Sequence, residues 1–323
     1  MSTSFEKIRL ASQKLQNIAH NTPLLTSSTL NELTGFDVYI KAENFQRVGA
    51  FKFRGAYNAI SKLSDDQKAK GVITHSSGNH AQAIALAGKL FNVKTVIVMP
   101  KNAPEVKVLA TKGYGAEVVF SEPNVKSRED TTESLVQKHG YTFIHPYNNN
   151  DVIEGQGTAT VEVLDKLHSL DAIITPVGGG GLLSGTSIVA KESKKIKFVF
   201  GAEPEQADDA FRSFKAKTLI KEGTPNTIAD GLRTYLSELT FGYISKYVDE
   251  IITVSEQEIV EAMKFLFQRM KIVVEPSGAV PVAALIKLSK SSSALKKGSK
   301  VACIISGGNI DLTEFFKKFE ATP

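Results

Sequence analysis

The chain has 323 residues, 42% apolar and 23% charged, which is enough for about two packed domains and excludes a disordered chain. Its net charge of +5 comes from interspersed residues, with no run that reads as a nucleic-acid tail or a basic membrane-surface helix. Neither a nucleic acid nor a membrane is therefore expected as a partner.

In chain order, residues 5–19 carry an amphipathic pattern that includes Glu6 and reads as an ordinary first helix. No apolar signal segment precedes it and no stretch reaches transmembrane length, so the cytoplasm is the expected location. Short β-rich runs follow at 37–42, 72–75, 95–99, 117–120, 142–145, 172–175, 197–202, 251–254 and 301–305. Helical patterns lie between them at 80–91, 130–139, 157–168, 182–192, 256–268 and 280–288. Apolar strands separated by helices predict parallel sheets covered on both faces, an α/β architecture of two doubly wound domains. The strands from 72 to 145 form one set, and those from 172 to 305 another. The expected organisation is a larger domain, 1–66 with 148–323, and a smaller one, 67–147, with the active site in the cleft between them. The Ser/Lys-rich stretch 289–300 reads as a solvated loop. The single cysteine, Cys303, excludes an intrachain disulfide and cysteine-rich zinc sites. Its apolar surroundings, Val301-Ala302-Cys303-Ile304-Ile305, predict a buried, unreactive thiol.

Four motifs carry chemistry. The first is Ala50-Phe51-Lys52-Phe53-Arg54-Gly55-Ala56. A lysine flanked by aromatic residues at a helix start suits a desolvated amine, because burial disfavours the ammonium form. A neutral amine can condense with an aldehyde cofactor. The bland alternative is a lysine snorkelling from the edge of the core. The second motif, Ser76-Ser77-Gly78-Asn79-His80, follows a strand and precedes a helix, and offers hydroxyls, an amide and backbone N–H groups to a carboxylate. It reads equally well as an ordinary helix N-cap. The third, Pro176-Val177-Gly178-Gly179-Gly180-Gly181-Leu182, lets backbone amides approach a phosphate at a helix N-terminus. It competes with a dinucleotide fold in which Glu203 would bind a ribose, but the third glycine of that fingerprint falls on Leu183 or Ser184. The fourth, Ser306-Gly307-Gly308-Asn309, follows the last strand, where Ser306 could hydrogen-bond a ring nitrogen or merely turn the chain. A separate acidic segment, Glu203-Pro204-Glu205-Gln206-Ala207-Asp208-Asp209, offers hard oxygens suited to Mg²⁺ or Ca²⁺, or is a solvated helix start.

Taken in order, these motifs resemble the fold-type II pyridoxal-phosphate enzymes, whose architecture is tryptophan synthase β-like, and within them the serine racemase and serine/threonine dehydratase group. The resemblance runs from Thr22-Pro23-Leu24 to Ser306-Gly307-Gly308-Asn309-Ile310-Asp311. It implies that Lys52 holds pyridoxal 5'-phosphate and acts as base on one face of the substrate, with Phe51 packed near the ring. It implies that Asn79 binds the ring hydroxyl, Gly178, Gly179, Gly180, Gly181 and Leu182 the phosphate, and Ser306 the pyridine nitrogen. Substrate carboxylate recognition would fall to Ser76, Asn79 and His80, with Arg128 closing over it. Ser77 is the second proton carrier that racemisation requires, where the dehydratases typically have alanine.

The implied function is the interconversion of L- and D-serine, with dehydration of serine to pyruvate and ammonia. The runner-up is a catabolic threonine/serine dehydratase with little racemisation. Rivals from other classes are a nicotinamide-dependent dehydrogenase and a non-catalytic ligand-binding protein. The resemblance also implies Mg²⁺ (or Ca²⁺ or Mn²⁺) at Glu203, Ala207 and Asp209, and a homodimer with ATP as effector. Matched nucleotide positions are Ser27, Ser28, Thr29, Arg47, Gln82, Tyr114, Lys271 and Asn309. Arg47 and Val48 depart from the Lys-Thr of animal racemases, and Tyr147 stands where related enzymes often carry Asn or Asp.

Overall fold

The computed structural model describes residues 3–291 and 294–311. Ten strands are present among them: β1 (Leu24–Leu25), β2 (Asp37–Ala42), β3 (Val72–His75), β4 (Thr95–Pro100), β5 (Glu117–Ser121), β6 (Thr142–Phe143), β7 (Leu170–Pro176), β8 (Ile196–Pro204), β9 (Glu250–Val254) and β10 (Lys300–Ile305). A six-stranded sheet has the order β1-β2-β10-β7-β8-β9 and is parallel except where β1 meets β2. A four-stranded sheet, β5-β4-β3-β6, is parallel throughout. This is the α/β architecture of parallel sheets that the sequence predicts. The smaller sheet uses the chain between β2 and β7. On that topology we propose the division 1–66 with 148–323 and 67–147; residues 1–2, 292–293 and 312–323 of the larger unit lie outside the described residues.

Alternation along the strands shows why both faces must be covered. In β10, Val301, Cys303 and Ile305 belong to one buried cluster, and Ala302 and Ile304 to the cluster on the opposite face. In β4, Ile97 and Met99 pack on one side and Val96 and Val98 on the other. Such strands have no solvent face, so they read as continuous apolar runs. Cys303 is fully buried and burial pushes its thiol pKa up, as its surroundings predict.

Several boundaries differ from expectation for local reasons. β6 ends at Phe143 because His145 turns the chain, its Nδ1 accepting from the Tyr147 and Asn148 amides, and because Pro146 has no N–H to donate. The helix expected from 157 begins at Asn150, where Asn149 caps the amides of Asp151 and Val152. The helix expected at 256–268 is regular over Glu256–Phe265 and then widens into a π turn, Leu266–Met270. The last helix, Pro276–Ser291, takes up the start of the stretch read as a solvated loop. No helix among the described residues is long and apolar enough to cross a membrane.

Candidate active site in the cleft between the sheets

A cleft of about 500 Å³ opens where the carboxyl ends of the two sheets face each other, the usual ligand position in parallel sheets. The segment that carries Lys52 after β2, the loop after β3, the glycine loop after β7 and the turn after β10 all feed it, joined by residues 125–129, 145–147 and 230–235 and by Lys107, Glu275 and Ser277. Lys52, Phe51, Ser76, Ser77, Asn79, His80, Arg128, Gly178 to Gly181, Leu182 and Ser306 all line it. Every residue expected to touch cofactor or substrate is thus gathered in one cavity.

Lys52 opens the helix Lys52–Ser61. Its Nζ donates to the Pro146 carbonyl at 3.2 Å and lies 5.1 Å from the centre of the Phe51 ring. Desolvation brings its pKa down to about 8, opposed by the nearby charge of Glu275. A surface lysine would stay a full ammonium ion, so snorkelling does not describe Lys52.

The loop after β3 is not capped by a serine. Gly78 is the N-cap of the helix Asn79–Leu90, and the Ser76 hydroxyl accepts from the Gly78 amide at 3.2 Å. Ser77 is therefore not the helix cap; it stands partly buried on the cleft wall. His80 is buried, its Nε2 3.2 Å from the Ile144 carbonyl, and its Nδ1 has no protein partner. Desolvation and the Lys52 charge hold its pKa well below the usual range, so it is a neutral imidazole. Desolvation likewise takes His75 and His145 down to about 4. Arg128 adds its positive charge against His75, and its own Nε is buried without a partner.

The glycine loop fits a phosphate. Gly180, at φ 84 in the left-handed region, caps the helix Gly181–Ser193 without any side-chain hydrogen bond, which leaves the first amides of that helix to a ligand. A Cβ at Gly179 would lie 2.2 Å from the Tyr147 ring. Only a bare backbone can pass there, so the glycines answer to close approach, and Tyr147 occupies the wall beside them. Burial raises the Tyr147 hydroxyl to about 12, with the Asp209 charge adding to it.

Sequence reasoning missed Glu275. This buried carboxylate accepts from Asn79 Nδ2 at 2.8 and 3.1 Å, and desolvation raises its pKa to about 7. An acid ending the apolar run Ile272-Val273-Val274 and followed by Pro276 was the available signal. Lys107 and Asp230, also unforeseen, form an ion pair of 2.8 Å on the cleft wall.

Glu203 and Asp209 are buried, not solvated. Both Glu203 oxygens face the start of the helix Asp209–Ala216, accepting from Ala210 N at 3.0 Å and Phe211 N at 2.8 Å. Glu203 does not line the cleft that holds the glycine loop, so the dinucleotide reading loses its second contact. Asp209 Oδ2 accepts from Leu236 N, while its Oδ1 is buried without a partner. Desolvation and the Asp209 charge drive Glu203 well above the carboxylate range, and desolvation raises Asp209 to about 7. Two unneutralised buried carboxylates and an orphaned oxygen fit a hard cation. No group of three His, Cys, Asp or Glu side chains gathers as a metal site among the described residues, so side chains alone do not make a complete cation site there.

None of the eight nucleotide positions lines the cleft. Ser27 caps the helix Ser28–Thr34, whose first residues are Ser28 and Thr29. Arg47 donates to the Ile18 carbonyl and lies over the Phe53 ring. Gln82 is buried in the helix that Asn79 opens, and Tyr114 ends the helix Glu105–Gly113. Lys271 adopts φ 59 after the π turn, and Asn309 Nδ2 donates to Val48 O and Asn79 Oδ1.

Comparison with known proteins agrees with this geometry. The family model described as "Pyridoxal-phosphate dependent enzyme" matches residues 15–307. The L-threo-3-hydroxyaspartate ammonia-lyase of Saccharomyces cerevisiae is 48% identical over 307 residues, 94% of this chain and 93% of its own. The serine racemase of Dictyostelium discoideum is 47% identical over 318 residues, 98% of each chain. The crystal structure of serine racemase from that organism superposes with a TM-score of 0.91 at 46% identity, covering 96% of this chain and 100% of that one. The chain therefore belongs to the pyridoxal-phosphate dependent enzymes of fold type II.

Proposed function

We propose that the chain racemises serine and also eliminates water from it, giving pyruvate and ammonia, in the cleft between the two sheets. The observation that carries this reading is the meeting of a desolvated Lys52 amine and the uncapped Ser77 hydroxyl in one cavity. When bound, pyridoxal phosphate supplies an aldehyde and an electron-withdrawing ring that acidifies the substrate Cα–H. Lys52 Nζ would hold the aldehyde carbon and, once the substrate amine has displaced it, would be free to carry the Cα proton on one face. Ser77 Oγ delivers or accepts a proton on the other. The amides of Gly178 to Gly181 would hold the phosphate and Ser306 the ring nitrogen, with Phe51 on the cleft wall near the ring. Ser76, Asn79 and neutral His80 bind the substrate carboxylate. Ser306 is uncharged, so it would meet the ring nitrogen as a neutral hydrogen-bond partner and not as a counter-ion.

One observation favours a second substrate. Arg128 brings a guanidinium with an unpartnered buried Nε into the cleft, which serine needs less than a substrate with a further carboxylate. Three of the relatives are named for hydroxyaspartate, in Saccharomyces cerevisiae, Paracoccus denitrificans and a Pseudomonas species. Mg²⁺ at Glu203, Asp209 and the Ala207 carbonyl belongs to the same proposal, while the ATP effector, the homodimer and threonine as substrate rest on resemblance alone.

The deciding experiment incubates purified protein separately with L-serine and L-threo-3-hydroxyaspartate and quantifies D-serine, pyruvate and oxaloacetate together. D-serine with pyruvate supports the first reading. Oxaloacetate without D-serine replaces it with the second, and pyruvate alone points to the dehydratase.

A further inference from the structure

Glu275 reaches the cleft by an irregular route. After the π turn Leu266–Met270, Lys271 adopts φ 59 and the chain reverses, with Glu275 N donating to Gly307 O at 3.1 Å. A Cβ at Gly307 would lie 2.6 Å from Glu275 Oε1, so that glycine makes room for the carboxylate. Glu275 is 4% exposed, yet no salt bridge partners it among the described residues; its carboxylate is turned to the amide of Asn79. The other end of that amide, Oδ1, accepts from Asn309 Nδ2 at 2.8 Å. Asn309 in turn donates to Val48 O at 2.7 Å, and Val48 is a β-branched residue held at φ 55. Such a backbone persists only where its surroundings over-determine it.

Asn79 starts a helix that follows β3 of the four-stranded sheet, whereas Glu275, Asn309 and Val48 belong to segments around the six-stranded sheet. The amide of Asn79 is thus gripped at both ends by the opposite side of the cleft, beside Lys52. Its Oδ1 keeps a second lone pair for a ligand.

We propose that Glu275 is a positioning residue: with Asn309 it locks the Asn79 amide in one orientation and docks the start of the helix Asn79–Leu90 against the cofactor end of the larger sheet. The proposal rests on the reading of Asn79 as a cofactor contact. A free asparagine would have to be ordered when the cofactor arrives; one already held does not lose that freedom on binding. Glu275→Gln conserves shape but replaces one acceptor oxygen with a donor facing the Asn79 N–H groups.

The test measures the dissociation constant of pyridoxal phosphate for cofactor-stripped full-length protein, by absorbance titration, in a double-mutant cycle. Glu275→Gln should weaken binding by roughly 10- to 100-fold, the scale of a hydrogen bond to a charged group. In an Asn79→Ala background the same substitution should change binding by no more than about 2-fold, because the group through which it acts is gone. An undiminished effect in that background, or wild-type binding by Glu275→Gln, overturns the proposal. Wild-type binding by Asn79→Ala overturns the reading beneath it, and the proposal with it. If Glu275→Gln does not fold, Asn309→Ala approaches from the other end: weaker binding that vanishes in the Asn79→Ala background supports the lock, and additive loss overturns it.

Discussion

A lysine attacks an aldehyde only as the free amine, and burial brings Lys52 down to about 8, which raises its share of that form at neutral pH. Below a pKa of about 8 the amine is protonated, so the rate of covalent capture of pyridoxal phosphate should climb with pH and level off above about 8. Borohydride trapping followed by mass spectrometry at a series of pH values checks this, and Lys52→Ala should trap nothing. A midpoint near 10.5 would mean that the amine is solvated. Ser77 is the second residue-scale case. Since Gly78 caps the following helix, Ser77→Ala should leave stability nearly unchanged. It should spare elimination from L-serine and reduce D-serine formation by about 10²–10⁴-fold, the usual contribution of an acid–base group. Elimination from D-serine should fall as well, because its Cα–H faces the missing hydroxyl. Equal losses with both enantiomers would remove Ser77 from the proton path.

At the scale of elements, the start of the helix Asp209–Ala216 is where charge is least balanced. Glu203 accepts two of its amides, yet burial raises both the Glu203 and the Asp209 carboxyl pKa values, and the Asp209 charge adds to the rise at Glu203. A carboxyl whose pKa is higher in the folded than in the unfolded chain favours folding while protonated, and that advantage is lost as pH rises through the folded value. For Asp209 the loss runs from its ordinary value of 3.8 to about 7. Without a cation the protein should therefore become less stable over that window. A divalent ion that binds only the native, ionised site offsets the loss. Added Mg²⁺ should raise the melting temperature more at pH about 8 than at pH about 5, and Asp209→Asn should abolish the difference. Equal shifts at both pH values, or a shift that survives Asp209→Asn, would place the ion elsewhere.

Over the whole molecule, the helix that carries Lys52 is anchored by buried charge. Arg54 is fully buried, with Nε 2.7 Å from Glu43 and Nη1 2.6 Å from Glu162, and Lys41 reaches Glu162 at 2.5 Å. This network ties the end of β2, the Lys52 helix and the helix Asn150–Leu167 into one block behind the cleft. Removing one partner strands the others in a medium that does not solvate them. Arg54→Met should cost about 3–5 kcal/mol in urea unfolding, and the double change with Glu43→Gln should cost less than the sum of the two. A loss for Arg54→Met below about 1 kcal/mol would mean that water reaches the network.

Much of this architecture is written locally. Period-two and period-3.6 apolarity locate the strands and most helices, and four glycines after an apolar strand point to a backbone that something must approach closely. Lys52 betrays itself by its aromatic neighbours. Boundaries such as the start at Asn150 stayed hidden because glycines at 155 and 157 interrupt the pattern, while the helix exists through packing against its neighbours. Glu203 reads in one dimension as a solvated acid or a ribose contact; only the folded chain puts the amides of Ala210 and Phe211 on its oxygens. The chain by itself determined the parallel sheets and marked the glycine loop and Lys52 as candidates, because each depends on residues adjacent in sequence. Tertiary structure alone decided that Glu275 meets Asn79, 196 residues away, since an acid at the end of an apolar run declares that it is buried but not what it will face.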